Sequence, residues 1–530
     1  MRANALNLTP ERDEGKAKGV KALIETLEKT EQQVRAGGGP KAVEQQHSKG
    51  RLTAHERIDL FFDKGTFVEL DMYSQHQCHD FGMEKKRPYG DGVITGYGEV
   101  NGRTVFAYAM DFTVMGGSVG LSNASKIAHA QRMSLRSRVP MIGLVDTSGA
   151  RIQEGSGTYS VLFYEHIKSS GIIPQISCIM GACAGGGCYS PALTDFIYMI
   201  DKSSEMYITG PRVIKQVCNE DTTGPELGGP QVHSQISGVV DFVSPGEPEC
   251  IEHVKKLLSF LPSNCYEKPP IVETGDDPFR LCPELDSIVP DDRKKSFDMK
   301  KVIRAIADNG DFLEVKEKFA RNMITGLIRI GGYSVGVVAN QPRHLAGSID
   351  SDASDKAARF YRLCDCFNIP ILTLADVPGY LPGIKEEYKG VIRHGAKMLY
   401  GYVEAEVPKI LVVVRKAYGG SWAAMGSKTM GADLAFAWPT AEMAIMGAEG
   451  AVEILYRKEI LAAEDKDAIR KEKRDEYREK FNSPYLYAGK MIMDFLIKPS
   501  ETRRHLYRSL KMLWDKPQER ADRKHGNIPL

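Results

Sequence analysis

The chain has no apolar run near the roughly 18 residues that a membrane-spanning helix needs, which excludes an integral helical membrane protein. It has no excess charge of either sign. Lys and Arg number 70 against 69 Asp and Glu, for a net charge of +1. That balance excludes the broad basic footprint of a protein built to hold nucleic acid or an anionic membrane surface. Ten cysteines are present, but no CxxC faces a second CxxC, so a zinc ribbon is excluded. The N-terminal stretch "MRANALNLTPERDEGKAKG" has no apolar core and mixes acids with bases, so it reads as neither signal nor transit peptide. Reduced, mostly buried thiols and a cytoplasmic address are expected, or the mitochondrial matrix where a transit peptide has been removed. "HQCHD" (76–80) has metal-binding residue types but no supporting cluster, and no metal is expected.

What the chain does have is itself twice. At 530 residues it exceeds one ordinary core. An offset of 230 residues lays Asp146 of "MIGLVDTSGA" on Asp376 of "ILTLADVPGY". The same offset pairs Gly117 with Gly347, Ser118 with Ser348, Lys126 with Lys356 and Ala128 with Ala358. It also pairs Arg132 with Arg362, Pro140 with Pro370 and Gly149 with Gly379. Further on, "IPQISCIMGACAGG" and "VPKILVVVRKAYGG" align at an offset of 234, which places Gly185 and Gly186 on Gly419 and Gly420. Upstream, "RIDLFFDKGTFVEL" is similar to "KVIRAIADNGDFLEV". Two copies of one domain are expected, residues 20–275 and 285–525, joined through a Pro- and Asp-rich stretch.

Each copy alternates buried strands with helical spacing. "TVFAYAM", "MIGLVD" and "QISCIM" answer to "YSVGVVAN", "ILTLAD" and "KILVVVR". That pattern predicts an α/β layered fold. The charged run "EDKDAIRKEKRDEYREK" reads as a solvated helix. In "MGACAGGGCYSPAL" (180–193) three glycines stand between a buried strand and a helix. Glycine lets a ligand atom approach backbone N–H groups that have no intrahelical partner. Their chemical use is an oxyanion hole, and the feature returns at Gly419, Gly420 and Ser421. Close strand–helix packing would also explain one such turn; two matched turns in a duplicated chain favour a paired chemical role.

"DTSGARIQEG" (146–155) and "MGACAGGGCYSPALTD" (180–195) resemble the first half of the β subunits of biotin-dependent acyl-CoA carboxylases. "DVPGYLPG" (376–383), "RKAYGGSWAAM" (415–425) and "AWPTAEMAIMGAEGAVEI" (437–454) resemble the second half. "KGRLTAHERIDLFFDKGTFVEL" (49–70) matches the family's N-terminal signature. Propionyl-CoA carboxylase β chains and related carboxyltransferases are the members most similar. The resemblance implies a duplicated crotonase-like fold and carboxyl transfer from carboxybiotin to the α-carbon of a short acyl-CoA, propionyl-CoA first. It implies coenzyme A as part of the substrate and biotin on a separate chain. It implies a biotin carboxylase and carrier α subunit as partner and a homohexamer with sites between protomers.

By this resemblance Gly185 and Gly186 stabilise the thioester oxygen as it gains charge, helped by Ser148, Gly149 and Ala150. Gly420 and Ser421, flanked by Gly419, serve the biotin side. Tyr189, Trp422 and Ala423 line the substrate. The reading predicts that Gly186→Val blocks the CoA-side hole while the oligomer stays folded. Asp146 and Asp376 could act as bases but read first as turn-stabilising residues, and His394 reads as an ordinary polar contact.

The sequence departs from the pattern in two places. Ser421 stands where alanine is common, and its N–H survives the change. Trp422 and Ala423 stand where an aromatic residue and Asp are usual in propionyl-type members, which leaves the acyl group open. Three rivals are weighed. A crotonase-type hydratase would carry a Glu where Tyr189 stands. A decarboxylase running the same transfer in reverse would share the site. A non-catalytic scaffold would not need intact turns in both halves. No Ala-Met-Lys-Met type biotin-attachment sequence and no ATP-grasp portion are recognised, so ATP use and the carrier are expected from another polypeptide.

Overall fold

The structure is a computed structural model that describes residues 19–155, 157–293, 295–519 and 521–530. All but the last residue of the N-terminal stretch read above for targeting lies outside the described residues.

The buried runs assemble into two eight-stranded sheets of one design. The first holds β1 (Val68–Leu70), β2 (Val93–Val100), β3 (Arg103–Met110) and β4 (Met141–Thr147). It continues with β5 (Gln175–Ala184), β6 (Phe196–Ile200), β7 (Glu205–Tyr207) and β8 (Phe242–Ser244). Its order is β1-β2-β3-β4-β5-β6-β8, with β7 paired to the far end of β5. The second holds β9 (Phe312–Val315), β10 (Met323–Ile330), β11 (Tyr333–Asn340) and β12 (Ile371–Val377). Its remaining strands are β13 (Lys409–Tyr418), β14 (Leu434–Ala437), β15 (Glu442–Ala444) and β16 (Phe495–Leu496). The order is the same: β9-β10-β11-β12-β13-β14-β16, with β15 paired to β13. In each sheet the first three strands are antiparallel and the rest parallel.

The strand sequences dictate this layering. β4 and β12 are buried at every position, as central parallel strands covered on both faces must be. Their helical covers are Leu121–Ser137 and Ser351–Cys366, which cross from β3 to β4 and from β11 to β12. The repeat reaches fine detail. The register slips between Val145 and Thr147 in one sheet and between Ala375 and Val377 in the other. A lone parallel bridge joins Val119 to Ala150, and another joins Ile349 to Tyr380. Lys126 donates from inside the fold to the carbonyls of Gly90 and Val93; Lys356 does the same to Lys316, Phe319 and Met323. Burial pushes the Lys126 ammonium down to about 8 and the Lys356 ammonium down to about 7.

The halves meet through one continuous apolar cluster that includes Phe196, Tyr198 and Leu257 from the first and Leu313, Phe360 and Leu363 from the second. Arg359 Nη2 donates to the Thr194 carbonyl at 2.8 Å, and Lys316 pairs with Asp241 at 3.1 Å. The connecting segment bonds forward: Val272 N–H donates to the Gly332 carbonyl, and Thr274 Oγ1 to Asp308. The helix Lys466–Phe481 buries none of its residues, as its charge pattern predicts. Among the described residues no helix is long and apolar enough to cross a membrane.

Candidate active site

β5 and β13 are each the longest strand of their sheet, ten residues, and each runs past its neighbours into a glycine turn. Gly185 has φ +63° and Gly419 has φ +56°. A left-handed residue followed by right-handed ones turns successive N–H groups toward one point, which makes a concave donor site. In the first half the turn is Gly185–Cys188, followed by the single helical turn Tyr189–Ala192. In the second it is the six-residue helix Gly419–Ala424. Helices this short add little dipole, so the donors are the N–H groups themselves.

The glycines have different physical causes. At Gly185 the cause is conformation: φ is positive, and an added Cβ would meet only the Ile208 carbonyl, at 3.9 Å. At Gly186 it is packing, since a Cβ would lie 2.7 Å from the Tyr159 ring. Gly186→Val would therefore displace the Tyr159 ring as well as block the hole, so its effect is not confined to the donors. Gly419 combines positive φ with a Cβ position 2.7 Å from the Ile445 carbonyl. At Gly420 neither cause applies. Its φ is ordinary and an added Cβ would meet nothing of this chain within 4 Å. The Gly420 backbone thus fronts an open cradle that a side chain would fill, which fits a ligand held against the N–H groups.

The structure brings the 148–150 turn to the Gly185 turn. A Cβ on Gly149, φ +103°, would stand 3.1 Å from the Ala184 carbonyl, and one on Gly187 would stand 3.3 Å from Thr147 Cγ2. Ser148 N–H donates to Gly116 and Gly149 N–H to Thr147 Oγ1, so both donors are already used inside the chain. Ala150 is held by its bridge to Val119. Ser421 is buried and its Oγ donates to the Tyr418 carbonyl at 2.6 Å, which leaves its N–H as the group on offer. Tyr189 is 49% exposed and packs edge-on to Phe163 at 6.0 Å. Trp422 packs edge-on to Tyr487 at 5.7 Å, and Ala423 is half-buried beside it.

Asp146 and Asp376 are fully buried, and each is held by an arginine. Arg57 Nη2 lies 3.1 Å from Asp146 and also donates to Glu247 at 2.8 Å, and Nε donates to Glu247 at 2.7 Å. Arg415 Nη2 lies 2.7 Å from Asp376. The 234-residue offset sets Gly181 opposite Arg415. An added Cβ at Gly181 would meet Asp146 Oδ1 at 2.2 Å, so the missing side chain makes room for Arg57 arriving from the helix Ala54–Phe61. The two carboxylates are structural ion-pair partners rather than turn-stabilisers. His394 Nδ1 contacts Asp355 at 2.8 Å, an ordinary polar contact as read from sequence. In "HQCHD", His76 is buried with Nε2 on the Lys86 carbonyl, and Cys78 points to backbone oxygens. No group of three or more His, Cys, Asp or Glu able to hold a metal is found among the described residues.

Sequence reasoning missed Arg57, Glu247, Tyr159 and, above all, two isoleucines. β7 pairs Tyr207 with Ala184, and β15 pairs Ala444 with Tyr418. The next residues, Ile208 and Ile445, stand at the glycine turns and are 59% and 86% exposed. A third offset, 237, would have found them: it also sets Gly210 on Gly447. A cleft of about 710 Å³ lined by Arg293, Arg415, Glu442 and Arg478 contains none of the turn residues. Both turns instead open onto exposed apolar surface.

Two sheets of the same order, each delivering one donor turn from a long parallel strand, define a duplicated crotonase-like carboxyltransferase fold. The chain matches the crystal structure titled transcarboxylase 12S, hexamer assembly and substrate binding to a multienzyme core, with methylmalonyl-coenzyme A and methylmalonic acid bound. The TM-score is 0.95 at 48% identity, over 97% of this chain and 99% of that one. A family described as the carboxyl transferase domain matches residues 45–528, and the chain belongs to that family. It is 51% identical over 514 residues to the methylmalonyl-CoA decarboxylase subunit alpha of Veillonella parvula, covering 96% of this chain and 99% of the relative. It is also 51% identical over 510 residues to the propionyl-CoA carboxylase carboxyltransferase subunit of Haloferax mediterranei, with the same coverages. The chain is a carboxyltransferase of the acyl-CoA carboxylase family.

Proposed function

We propose that the chain moves a carboxyl group between biotin carried on a separate polypeptide and the α-carbon of a short acyl-CoA, with propionyl-CoA and methylmalonyl-CoA as the substrate pair. Residues 20–275 take the acyl-CoA side and residues 285–525 the biotin side. The observation that carries this reading is the pair of donor turns, alike in strand, conformation and flanking isoleucine, with the open cradle at Gly420. Carboxylated biotin supplies the carboxyl group and accepts the acyl proton when bound. The chain itself supplies donors, position and exclusion of water.

On the first half, N–H groups at Gly185 and Gly186 hold the thioester oxygen, which gains negative charge as the α-carbon loses its proton. Preorganised donors at such an oxygen contribute roughly 3 to 4 kcal/mol each. On the second half, N–H groups at Gly420 and Ser421 hold the ureido oxygen of biotin. Tyr189, Trp422 and Ala423 line the acyl and biotin chains. No protein carboxylate is needed as base, and the two candidates, Asp146 and Asp376, are committed to arginines. Tyr189 stands where a hydratase needs a carboxylate, which argues against that rival.

The exposed isoleucines give the site its assembly. Each turn faces solvent in the single chain, and apolar surface around a polar site favours a covering protein surface. A second copy that sets its biotin-side turn over this CoA-side turn covers both and completes two sites at once, as closed symmetry requires. A homohexamer of such pairs, a separate biotin carboxylase and carrier chain, and a cytoplasmic or matrix address complete the proposal.

The test is transfer with free biotin and no partner chain. Malonyl-, methylmalonyl-, ethylmalonyl- and glutaconyl-CoA are offered as carboxyl donors. Biotin-dependent loss of carboxylate, fastest with methylmalonyl-CoA, is expected. A different best donor replaces the substrate assignment, and no transfer with any donor favours the scaffold rival. The decarboxylase reading keeps the same site, and the similarity to the Veillonella parvula subunit favours keeping it as a second reading.

A further inference from the structure

The CoA-side turn is bracketed by two cysteines. Cys183 is the next-to-last residue of β5, and Cys188 closes the turn Gly185–Cys188. The segment between them is Ala184 and the three glycines. Cys188 Sγ donates to the Cys183 carbonyl at 3.0 Å and to the Tyr207 carbonyl at 3.1 Å. The two thiols also contact each other as hydrogen-bond partners. Both belong to the apolar cluster with Tyr159 and Met206. Cys183 is 1% exposed, whereas Cys188 is 7% exposed.

The pair is asymmetric in a useful way. The contact with Cys183 holds the Cys188 thiol below its ordinary range, and Cys188 is also the more exposed of the two. The same contact, together with burial, pushes the Cys183 thiol up. Once Cys188 is no longer a thiolate, that contact no longer opposes ionisation of Cys183. The chain has an internal contrast. Cys178 and Cys250 also contact each other, but both have no exposed surface and lie between β5 and the helix Glu247–Phe260.

We propose that Cys183 and Cys188 form a reversible disulfide that closes the glycine turn between them and switches off the CoA side. The inhibition rests on the assignment of that turn to the thioester oxygen; formation of the disulfide does not. The oxidant is a peroxide. The Cys188 thiolate attacks one peroxide oxygen, the O–O bond breaks, and the departing hydroxide takes the proton that the thiol released to become water, leaving a sulfenic acid. Cys183 sulfur then attacks the Cys188 sulfur, the S–O bond breaks, and the hydroxyl leaves with the Cys183 proton as a second water. Two thiols are oxidised by two electrons and one peroxide is reduced to two waters. The bond draws Cys188 sulfur off the two carbonyls it now serves and moves the N–H groups of the turn. Thiol reductants reverse it by exchange.

The full-length protein is treated with hydrogen peroxide, digested and read by mass spectrometry, with free-biotin transfer measured in parallel. A peptide two hydrogens lighter, linked through Cys183 and Cys188, is expected. Activity is expected to fall by about tenfold or more, in line with the loss of one aligned donor, and to return with dithiothreitol. Cys188→Ser, which keeps a donor for the two carbonyls, has the same activity before and after the treatment, and Cys188→Ala serves should the serine disturb the fold. Cys178 and Cys250 stay reduced in the same digest. Absence of the Cys183–Cys188 link overturns the proposal whatever the turn does. Equal inactivation of the Cys188 variants overturns it by placing the damage elsewhere, and equal oxidation of Cys178 and Cys250 overturns it by showing unfolding. A disulfide that forms while activity is unchanged overturns the switch and speaks against the CoA-side assignment, leaving the oxidation chemistry itself intact.

Discussion

Gly185 and Gly419 stand 234 residues apart and adopt the same left-handed conformation at the same point of the fold, the step off the end of a ten-residue parallel strand. A Cβ added at either would face the carbonyl of an exposed isoleucine, Ile208 at 3.9 Å for one and Ile445 at 2.7 Å for the other. The repeated geometry ties backbone conformation, surface and chemistry into one unit that the chain has used twice.

Gly420→Val is expected to cut biotin-dependent transfer by about 100-fold or more, the cost of disturbing one preorganised donor site. Its thermal midpoint stays close to that of the parent, since an added Cβ meets nothing of the chain within 4 Å. Gly186→Val behaves differently. It forces the Tyr159 ring aside and costs about 1–3 kcal/mol of stability. Differential scanning calorimetry beside the transfer assay separates the two.

Asp146→Asn is expected to destabilise the first half by about 3–5 kcal/mol, because it strands the buried Arg57 guanidinium beside Glu247 alone. Asp376→Asn does the same to Arg415 in the second half. Urea unfolding measures the loss. A variant that kept full stability and lost only activity would instead make the carboxylate a catalytic base.

Lys356 gives the protein a pH dependence of definite sign. Burial holds its ammonium at about 7 in the fold, whereas the unfolded chain holds it near 10.5. Between those values the unfolded state binds the extra proton, so Lys356 adds stability as pH rises through that window, by up to about 1.4 kcal/mol per pH unit. Lys126, held at about 8, contributes the same sign over a narrower window. Lys356→Met flattens the rise in unfolding free energy between pH 7 and pH 9.5. An unchanged slope would contradict the assignment.

Ala423→Asp is expected to redistribute acyl selectivity. Ala423 is half-buried beside Trp422, whose ring is fixed against Tyr487, so a carboxylate there faces the lining of the proposed acyl site. The ratio of kcat/KM between propionyl-CoA and a longer acyl-CoA shifts by about tenfold, the scale of a small change in pocket contacts. A ratio that stays constant removes this position from the lining.

Much of this was legible in the sequence because a duplication makes the chain its own comparison. The pairs Asp146 and Asp376, Gly149 and Gly379, and Lys126 and Lys356 fell in register, and the structure gives each pair one position in two sheets of the same order. Contacts that break the repeat were not legible. Arg57 reaches Asp146 from a helix 89 residues upstream, while Arg415 reaches Asp376 from a neighbouring strand. The difference is encoded as Gly181 against Arg415, a gap rather than a motif. The packing role of Gly186 was hidden because Tyr159 lies outside both glycine motifs. Ile208 and Ile445 were passed over because single exposed isoleucines carry no signal until a sheet sets them at the turns.

The central claim is that each site joins the first half of one protomer to the second half of another. It is tested most directly by mixing two inactive variants, Gly185→Ala on the CoA side and Gly420→Val on the biotin side, through refolding or co-expression. Random pairing of two such chains rebuilds about a quarter of the parental sites, because one of the two sites in each mixed pair receives both intact turns. The account predicts that recovery. Activity no higher than the sum of the two variants alone would contradict it and confine each site to a single chain.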